Sequence, residues 1–384
     1  MSRDLPKSSK LLIVSDTGIY QKKDKIYAYG PVVKEIEVFL EIFNEVSFIG
    51  FNRPDKIDNQ SYLEIEGSNV SVIKLERVGG RSLFAKIKIV VSYPRMFRAI
   101  KSELSKSMYV HIRAPSNPAV IVMLLSFFYK KKQFWFKYAG SWVDKASFFY
   151  DLQRRLLRKL KSNSKITVNG SWKSNGVRII HFENPCIDFS NRLEGEIIIA
   201  NKELTVKRNY CFVGGLNKEK GVLDLIEVLK SVPFEHIGVF HFIGAGELSD
   251  YVKKETAKLK FDVVIHGIID KPSVYNIFSH CHFIILPSQS EGFPKVISEA
   301  MNFGCVPIAS DVSCLSDYIN DSENGFLIEK PIKSNLQIKL INSLNMKPEV
   351  FKKIIKFNYN LSDVFTYENY KKQIKDKIID LEKP

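Results

Sequence analysis

Short runs of β-branched and aromatic residues alternate along the chain with longer stretches in which apolar side chains recur every three or four positions. Runs of the first kind mark buried strands, and those of the second mark helices laid on a sheet. In the first half this pattern predicts strands at Leu11–Ser15, Val46–Phe51, Val70–Lys74, Met108–Ile112, Phe134–Tyr138, Lys165–Asn169 and Val177–His181. Helices fall between them, for example at Pro31–Phe43 and Pro118–Tyr129. In the second half strands are expected at Tyr210–Gly214, Val239–Ile243, Val263–His266, His282–Pro287, Val306–Ser310 and Gly325–Ile328, again with helices between. Such alternation builds parallel sheets covered by helices on both faces. Two successive series predict an α/β protein of two doubly wound domains.

Glu183-Asn184-Pro185 is a turn signal that closes the first series, because a proline biases the residue before it away from helix. The first domain is therefore expected over residues 1–190 and the second over residues 191–365. A last helix, about Thr366 to Leu381, lies outside both alternations, and residues 366–384 are expected to pack back on the first domain. Ligands of doubly wound sheets bind beyond the carboxyl ends of the strands, which makes the cleft between the facing domains the expected site.

Composition narrows the function classes. The longest apolar stretch, Ala119 to Tyr129, is well short of the roughly 20 residues that a membrane-spanning helix needs. Met1 to Lys10 is polar and carries no secretory signal, so a cytoplasmic location is expected. Five cysteines form no C-x-x-C pair and read as reduced, buried thiols. Net charge is +15, and it is localised: residues 81–180 alone carry 21 Lys and Arg against three Asp and Glu. A field of that kind implies an anionic partner or a solvated basic face. No nucleic-acid motif accompanies it, and its aromatic residues make no stacking pattern, so nucleic acid is not the expected partner.

Within that segment Phe148 to Lys165 reads as an amphipathic helix. Phe149, Leu152, Leu156, Leu157 and Leu160 recur at helical spacing, and Arg154, Arg155, Arg158 and Lys159 fill the opposite side. Such a helix fits the surface of an anionic membrane, where each cation contributes about 1 kcal/mol. It also fits an ordinary surface helix packed on a sheet. The membrane alternative would place the protein on the inner face of the plasma membrane.

The strongest chemical signal runs from Ile284 to Pro307. A buried strand ends at Pro287, a polar loop follows, and a helix begins near Pro294, proline being suited to a first helical turn. Glu291 then lies on the loop, and Glu299 lies one turn into the helix, leaning back toward its start. Two carboxylates thus flank a helix N-terminus whose free N–H groups suit a diphosphate. Carboxylates beside such an anion are tolerated when they hold hydroxyls, as a sugar and a ribose would supply.

These residues resemble the family-4 glycosyltransferases, whose hallmark is two glutamates eight positions apart in an E-G-F-P…E-A-M…G-x-P setting. Here that setting is Glu291-Gly292-Phe293-Pro294, Glu299-Ala300-Met301 and Gly304-Cys305-Val306-Pro307. The likeness extends over most of the second half, through Phe212 to Gly221, Phe242 to Leu248, His266-Gly267, Asp317-Tyr318-Ile319 and Glu323 to Leu327. It implies the GT-B fold, two Rossmann-like domains across a cleft, and retaining transfer from a nucleotide-sugar without a metal or other cofactor. Glu299 would hold the ribose, and Glu291 the transferred sugar, with Gly292, Phe293, Pro294 and Val296 close by. Lys220 would neutralise the diphosphate lined by Gly214 and Gly215. The backbone of Gly267 and Ile268 would face the base. A UDP-sugar is the first expected donor and a GDP-sugar the next, with no motif deciding the base, and a glycan or lipid-linked acceptor in surface polysaccharide synthesis is expected.

One departure stands out. Gly215 occupies the place of the family's usual diphosphate-binding arginine, with Arg113 or Lys218 as possible substitutes. No histidine matches the family's in Tyr138 to Trp142. These departures keep open a catalytically degenerate partner or scaffold protein, and the fold keeps open a nucleotide-sugar epimerase. In the first half, Tyr29-Gly30-Pro31 lies where the family has a glycine-rich loop near the sugar, and also fits a plain turn before a helix. Arg113, in His111-Ile112-Arg113-Ala114-Pro115 at a strand's carboxyl end, is expected to point toward the cleft as a catalytic cation or to be a partnered structural arginine.

Overall fold

The computed structural model describes residues 9–53, 61–76, 83–140, 142, 147–161, 163–172 and 178–379, with residues 83–90 as backbone only. Val177 and Leu381, where predicted elements begin or end, and Ser141 lie outside these residues. The chain forms two compact units, one of residues 1–182 with 371–384 and one of residues 183–370. The division thus falls a few residues away from the turn-based positions near 190 and 365. The reason is a backbone pairing: Cys186 N–H donates to Phe365 O (2.9 Å) and Tyr367 N–H to Ile187 O (3.0 Å), so both crossing segments belong to the second unit.

The first unit holds strands β1 (Lys10–Lys22), β2 (Lys25–Tyr29), β3 (Glu45–Asn52), β4 (Tyr62–Glu64), β5 (Val70–Leu75), β6 (Tyr109–Ala114), β7 (Gln133–Tyr138), β8 (Ser164–Val168) and β9 (Ile179–His181). Its helices are α1 (Gly30–Leu40), α2 (Leu83–Lys106), α3 (Asn117–Ser126) and α4 (Phe148–Arg158). The parallel strands run β5-β3-β1-β6-β7-β8-β9. The far half of β1 pairs antiparallel with β2, and β2 with β4, an appendage absent from the expected alternation. Leu12, Val14, Val110, Ile112, Phe134 and Phe136 are buried in its core. Residues 371–379 complete this unit, with Ile374 and Ile378 buried and Lys165 Nζ donating to Lys377 O at 2.9 Å.

The second unit holds β10 (Arg208–Val213), β11 (Ile237–Ile243), β12 (Asp262–Gly267), β13 (Phe283–Leu286), β14 (Val306–Ser310) and β15 (Phe326–Ile328). Around them lie α5 (Phe189–Asn201), α6 (Val222–Leu229), α7 (Ser249–Thr256), α8 (Lys271–His280), α9 (Lys295–Asn302), α10 (Ile332–Leu344), α11 (Pro348–Ser362) and the start of α12 (Tyr367–Gln373). All six strands are parallel, in the order β12-β11-β10-β13-β14-β15. Strand order therefore reverses between β10 and β13, and the carboxyl ends at such a switch point are where doubly wound sheets bind their ligands. Among the described residues no helix is long and apolar enough to cross a membrane.

Three expectations for the first unit are corrected. Gly30 is not on a loop: β2 ends at Tyr29 and α1 begins at Gly30, with Pro31 in its first turn. Helix α4 stops at Arg158, so the stretch to Lys165 is not one helix, and Gln153 and Arg154 face inward with Leu157. Arg154 donates to Trp142 O at 2.9 Å and pairs with Asp151, while Gln153 Oε1 accepts from Ser116 N–H at 3.0 Å. These polar side chains satisfy backbone groups of neighbouring turns that would otherwise be buried unpaired. Arg155, Arg158 and Lys159 stay exposed, together with Phe148, Tyr150 and Leu152, and Arg158 lies 4.9 Å over the Trp142 ring. Arg113, one of the two candidate catalytic cations, at a strand end, is partnered. It donates to Glu35 at 2.6 Å, and the same buried carboxylate accepts from Lys137 at 2.8 Å.

Candidate functional site

The site is assembled by the two loops that leave β10 and β13 on either side of the switch point. After β10 the chain passes Gly214 and Gly215 into a short 3₁₀ turn, Lys218–Lys220, capped by the Asn217 side chain, which accepts from Lys220 N–H at 3.0 Å. Gly221 then turns the chain into α6 with φ of 70°. A Cβ there would stand 2.0 Å from Pro287 O at the end of β13. The two loops are also joined by Gln289 N–H donating to Glu219 O at 2.8 Å. Gly215 is half-buried, and a Cβ there would meet Asn217 Nδ2 at 3.0 Å and Ala245 O at 4.0 Å.

Two lysine–carboxylate pairs sit on this frame. Lys220 Nζ donates to Glu291 Oε1 at 2.5 Å, and Lys271 Nζ donates to Glu299 Oε1 at 2.6 Å. Both glutamates have side chains only 10% exposed. Glu299 is on α9, as the spacing predicts, but Pro294 takes the N-cap position and the helix begins at Lys295. In the first turn of α9 Ile297 N–H donates to Pro294 O at 2.9 Å, and the helix end carries a partial positive charge. The loop before it is fixed twice: the Phe293 ring stacks 5.0 Å from Phe365, and Ser313 Oγ donates to Gly292 O. Gly267 ends β12, with its carbonyl accepting from Gly244 N–H at 2.7 Å, and Ile268 after it is exposed.

Periodicity gave no sign of two residues that shape this region. Lys271 follows Asp270, the N-cap of α8, and in sequence it looks like any solvated lysine at a helix start. Lys202, at the C-terminal end of α5, is buried and donates at 2.8 Å to both Phe278 O and Phe303 O. Its ammonium thus ties together the carboxyl-terminal ends of α8 and α9, where helix dipoles favour a cation. Burial lowers its pKa from the usual lysine value. Gly304 makes room for it: a Cβ at that position, where φ is 75°, would stand 2.9 Å from Lys202 Cδ. Among the described residues no three His, Cys, Asp or Glu side chains cluster as metal ligands would. All five cysteines are buried and free.

The site lies inside residues 196–361. That segment matches the family described as glycosyl transferases, group 1. Over 137 residues the chain is 33% identical to an uncharacterized glycosyltransferase of Methanocaldococcus jannaschii, covering 35% of this chain and 37% of that one. Over 200 residues it is 27% identical to the capsular polysaccharide biosynthesis glycosyltransferase CapM of Staphylococcus aureus, covering 50% of each. The chain therefore spans half or less of the length of these relatives. The fold as a whole is shared with the Anabaena protein HepE, solved with UDP and glucose, at a TM-score of 0.66 and 14% identity over 96% of this chain and 99% of that one. Two Rossmann-like units in one α/β chain are thus the GT-B fold expected from the resemblance.

Proposed function

We propose that the chain is a family-4 glycosyltransferase that moves a sugar from a nucleotide-sugar, with a UDP-sugar first and a GDP-sugar next, to a glycan or lipid-linked acceptor of a surface polysaccharide. What carries this reading is the pair of lysine-bound carboxylates at the switch point, inside the segment that matches the glycosyl transferases. UDP and glucose in the Anabaena protein support the choice of donor, and the capsular enzyme of Staphylococcus supports the class of product.

Each carboxylate is neutralised by a lysine. An arriving diphosphate draws Lys220 toward its oxygens and frees Glu291 for the hydroxyls of the transferred sugar. Gly214, Gly215 and the first turn of α9 line the diphosphate, Glu299 holds the ribose, and the Gly267–Ile268 backbone meets the base. The bond from the anomeric carbon to the phosphate oxygen breaks, and the acceptor oxygen bonds to that carbon on the same face. The hydroxyl proton passes to the departing phosphate, so configuration is retained without a protein base. Lys220 and the helix end meet the growing negative charge, the kind of preorganised stabilisation that supplies much of an enzyme's rate. Lys218, on the same turn, is the cation available where Gly215 replaces an arginine. That replacement favours a second reading, a nucleotide-binding scaffold without turnover.

Thermal unfolding in the presence of nucleoside diphosphates and nucleotide-sugars, without metal, tests the donor site. A ligand of the folded form at 100 times its Kd adds about 2.7 kcal/mol, and one base is expected to raise the Tm clearly. A folded sample that shifts with none of them would end the proposal; a shift without sugar transfer would favour the scaffold. On the acceptor side, exposed Phe148, Tyr150 and Leu152 share α4 with Arg155, Arg158 and Lys159, and an anionic bilayer is the partner that suits both. Flotation with phosphatidylglycerol vesicles at low salt should carry the protein upward, and protein left at the bottom of the gradient would remove the membrane from the reading.

A further inference from the structure

Lys271 stands apart from the residues that the resemblance assigns. Its Nζ donates to Glu299 Oε1 at 2.6 Å and lies 3.2 Å from the Tyr275 hydroxyl. Its own side chain remains 53% exposed, whereas that of Glu299 is 10% exposed. Tyr275 is buried, and desolvation together with the Glu299 carboxylate pushes its phenol far above the ordinary value, so it stays a neutral hydroxyl. Asp270 fixes the position of the lysine by accepting from Ser273 N–H at 2.9 Å at the start of α8.

The chemistry of this group selects its ligand. An ammonium has three protons; one is directed to Glu299 and one can meet Tyr275, which leaves one for a third acceptor on the exposed side. The Glu299 carboxylate also interacts with the Tyr275 hydroxyl, but with about four lone-pair sites it can still accept a further hydrogen bond. The pair is neutral overall and offers an acceptor and a donor side by side, the lysine half exposed. A second anion gains little from a neutral pair, but two adjacent hydroxyls match it, since one donates to the carboxylate and the other accepts from the ammonium.

We propose that Lys271 and Glu299 read the paired hydroxyls of the donor ribose together, Lys271 donating to the 2′-hydroxyl and Glu299 accepting from the 3′-hydroxyl, so that Lys271 makes the site discriminate ribonucleotides from 2′-deoxyribonucleotides. The inference rests on the reading of Glu299 as the ribose-binding residue; the role of Lys271 is additional to it. Hydrogen bonds to charged groups are worth about 1.5–3 kcal/mol, so losing one should change affinity by about tenfold or more.

The experiment is calorimetric titration of UDP, GDP and their 2′-deoxy forms into the wild-type protein, Lys271→Met and Lys271→Arg. For the base that binds, the wild type should prefer the ribonucleotide by about tenfold or more. Lys271→Met should weaken the ribonucleotide by a similar factor, leave the deoxynucleotide within about threefold, and so erase the preference. Lys271→Arg, which keeps a donor on a charged head, should restore part of it. Equal weakening of both forms by Lys271→Met would reduce Lys271 to a structural support and overturn the proposal, as would a wild type with no preference for ribose. Binding of none of the four nucleotides to folded wild type would overturn the donor-site reading itself.

Discussion

Replacing Lys220 with methionine should lower turnover by about 100- to 1000-fold, the range seen when one preorganised partner of a developing negative charge is removed. Lys220 lies on the loop after β10, its N–H held by the Asn217 side chain and its ammonium paired with Glu291. Charge grows on the diphosphate as the sugar leaves, so the loss should fall mainly on kcat and less on the donor KM. Lys220→Arg keeps the charge and should retain more of the rate. The measurement is release of nucleoside diphosphate from whichever donor stabilises the protein. Removing the lysine also leaves Glu291 without its partner, and the double variant Lys220→Met/Glu291→Gln separates that local effect from the chemistry. A rate within about fivefold of wild type in Lys220→Met would take the lysine out of the reaction.

Gly221→Ala should be among the most damaging single changes in the second unit. At φ of 70° a side chain is disfavoured by about 1–2 kcal/mol. The added methyl would in addition meet Pro287 O at 2.0 Å, a backbone atom that cannot swing aside. Overpacking of this kind costs about 1–3 kcal/mol more, giving a combined loss of about 2–5 kcal/mol. In a unit of this size each kcal/mol moves the Tm by about 2–4 °C, so a fall of about 4–20 °C is expected. The shift should come with weaker nucleotide binding, because Gly221 follows Lys220 and Pro287 leads into the loop of Glu291. A Tm within about 1 °C of wild type would show that the two loops can separate freely.

The parts of this architecture that were legible in the sequence are those written in local patterns. Each strand of the second unit lies within two residues of its predicted bounds, because runs such as Phe283–Leu286 are wholly buried and bounded by turn residues. Glu299 was likewise placed one turn into α9 from Pro294 alone. The β2 strand escaped because only one of its five residues is fully buried and its turn to β1 uses Lys23 at φ of 54° where a glycine would be expected. The partners of the two glutamates escaped for a different reason. Lys220 and Glu291 are 71 positions apart and Lys271 and Glu299 are 28 apart, distances over which only the tertiary fold decides contact. Arg154 misled because its helical phase suggested the solvent side, whereas the carbonyl of Trp142 draws it inward.

The pairing of Cys186 and Ile187 with Phe365 and Tyr367 has a consequence for how the chain matures. It brings the entry and exit of the second unit side by side, so that this unit is in effect an insertion within the first. On the ribosome, everything needed for the inserted unit has emerged once residue 370 is clear of the exit tunnel. The first unit, although synthesised earlier, still lacks Ile374 and Ile378, which are buried in it. The nascent chain should therefore finish its middle before its beginning, with the early strands held incompletely covered until the closing segment arrives.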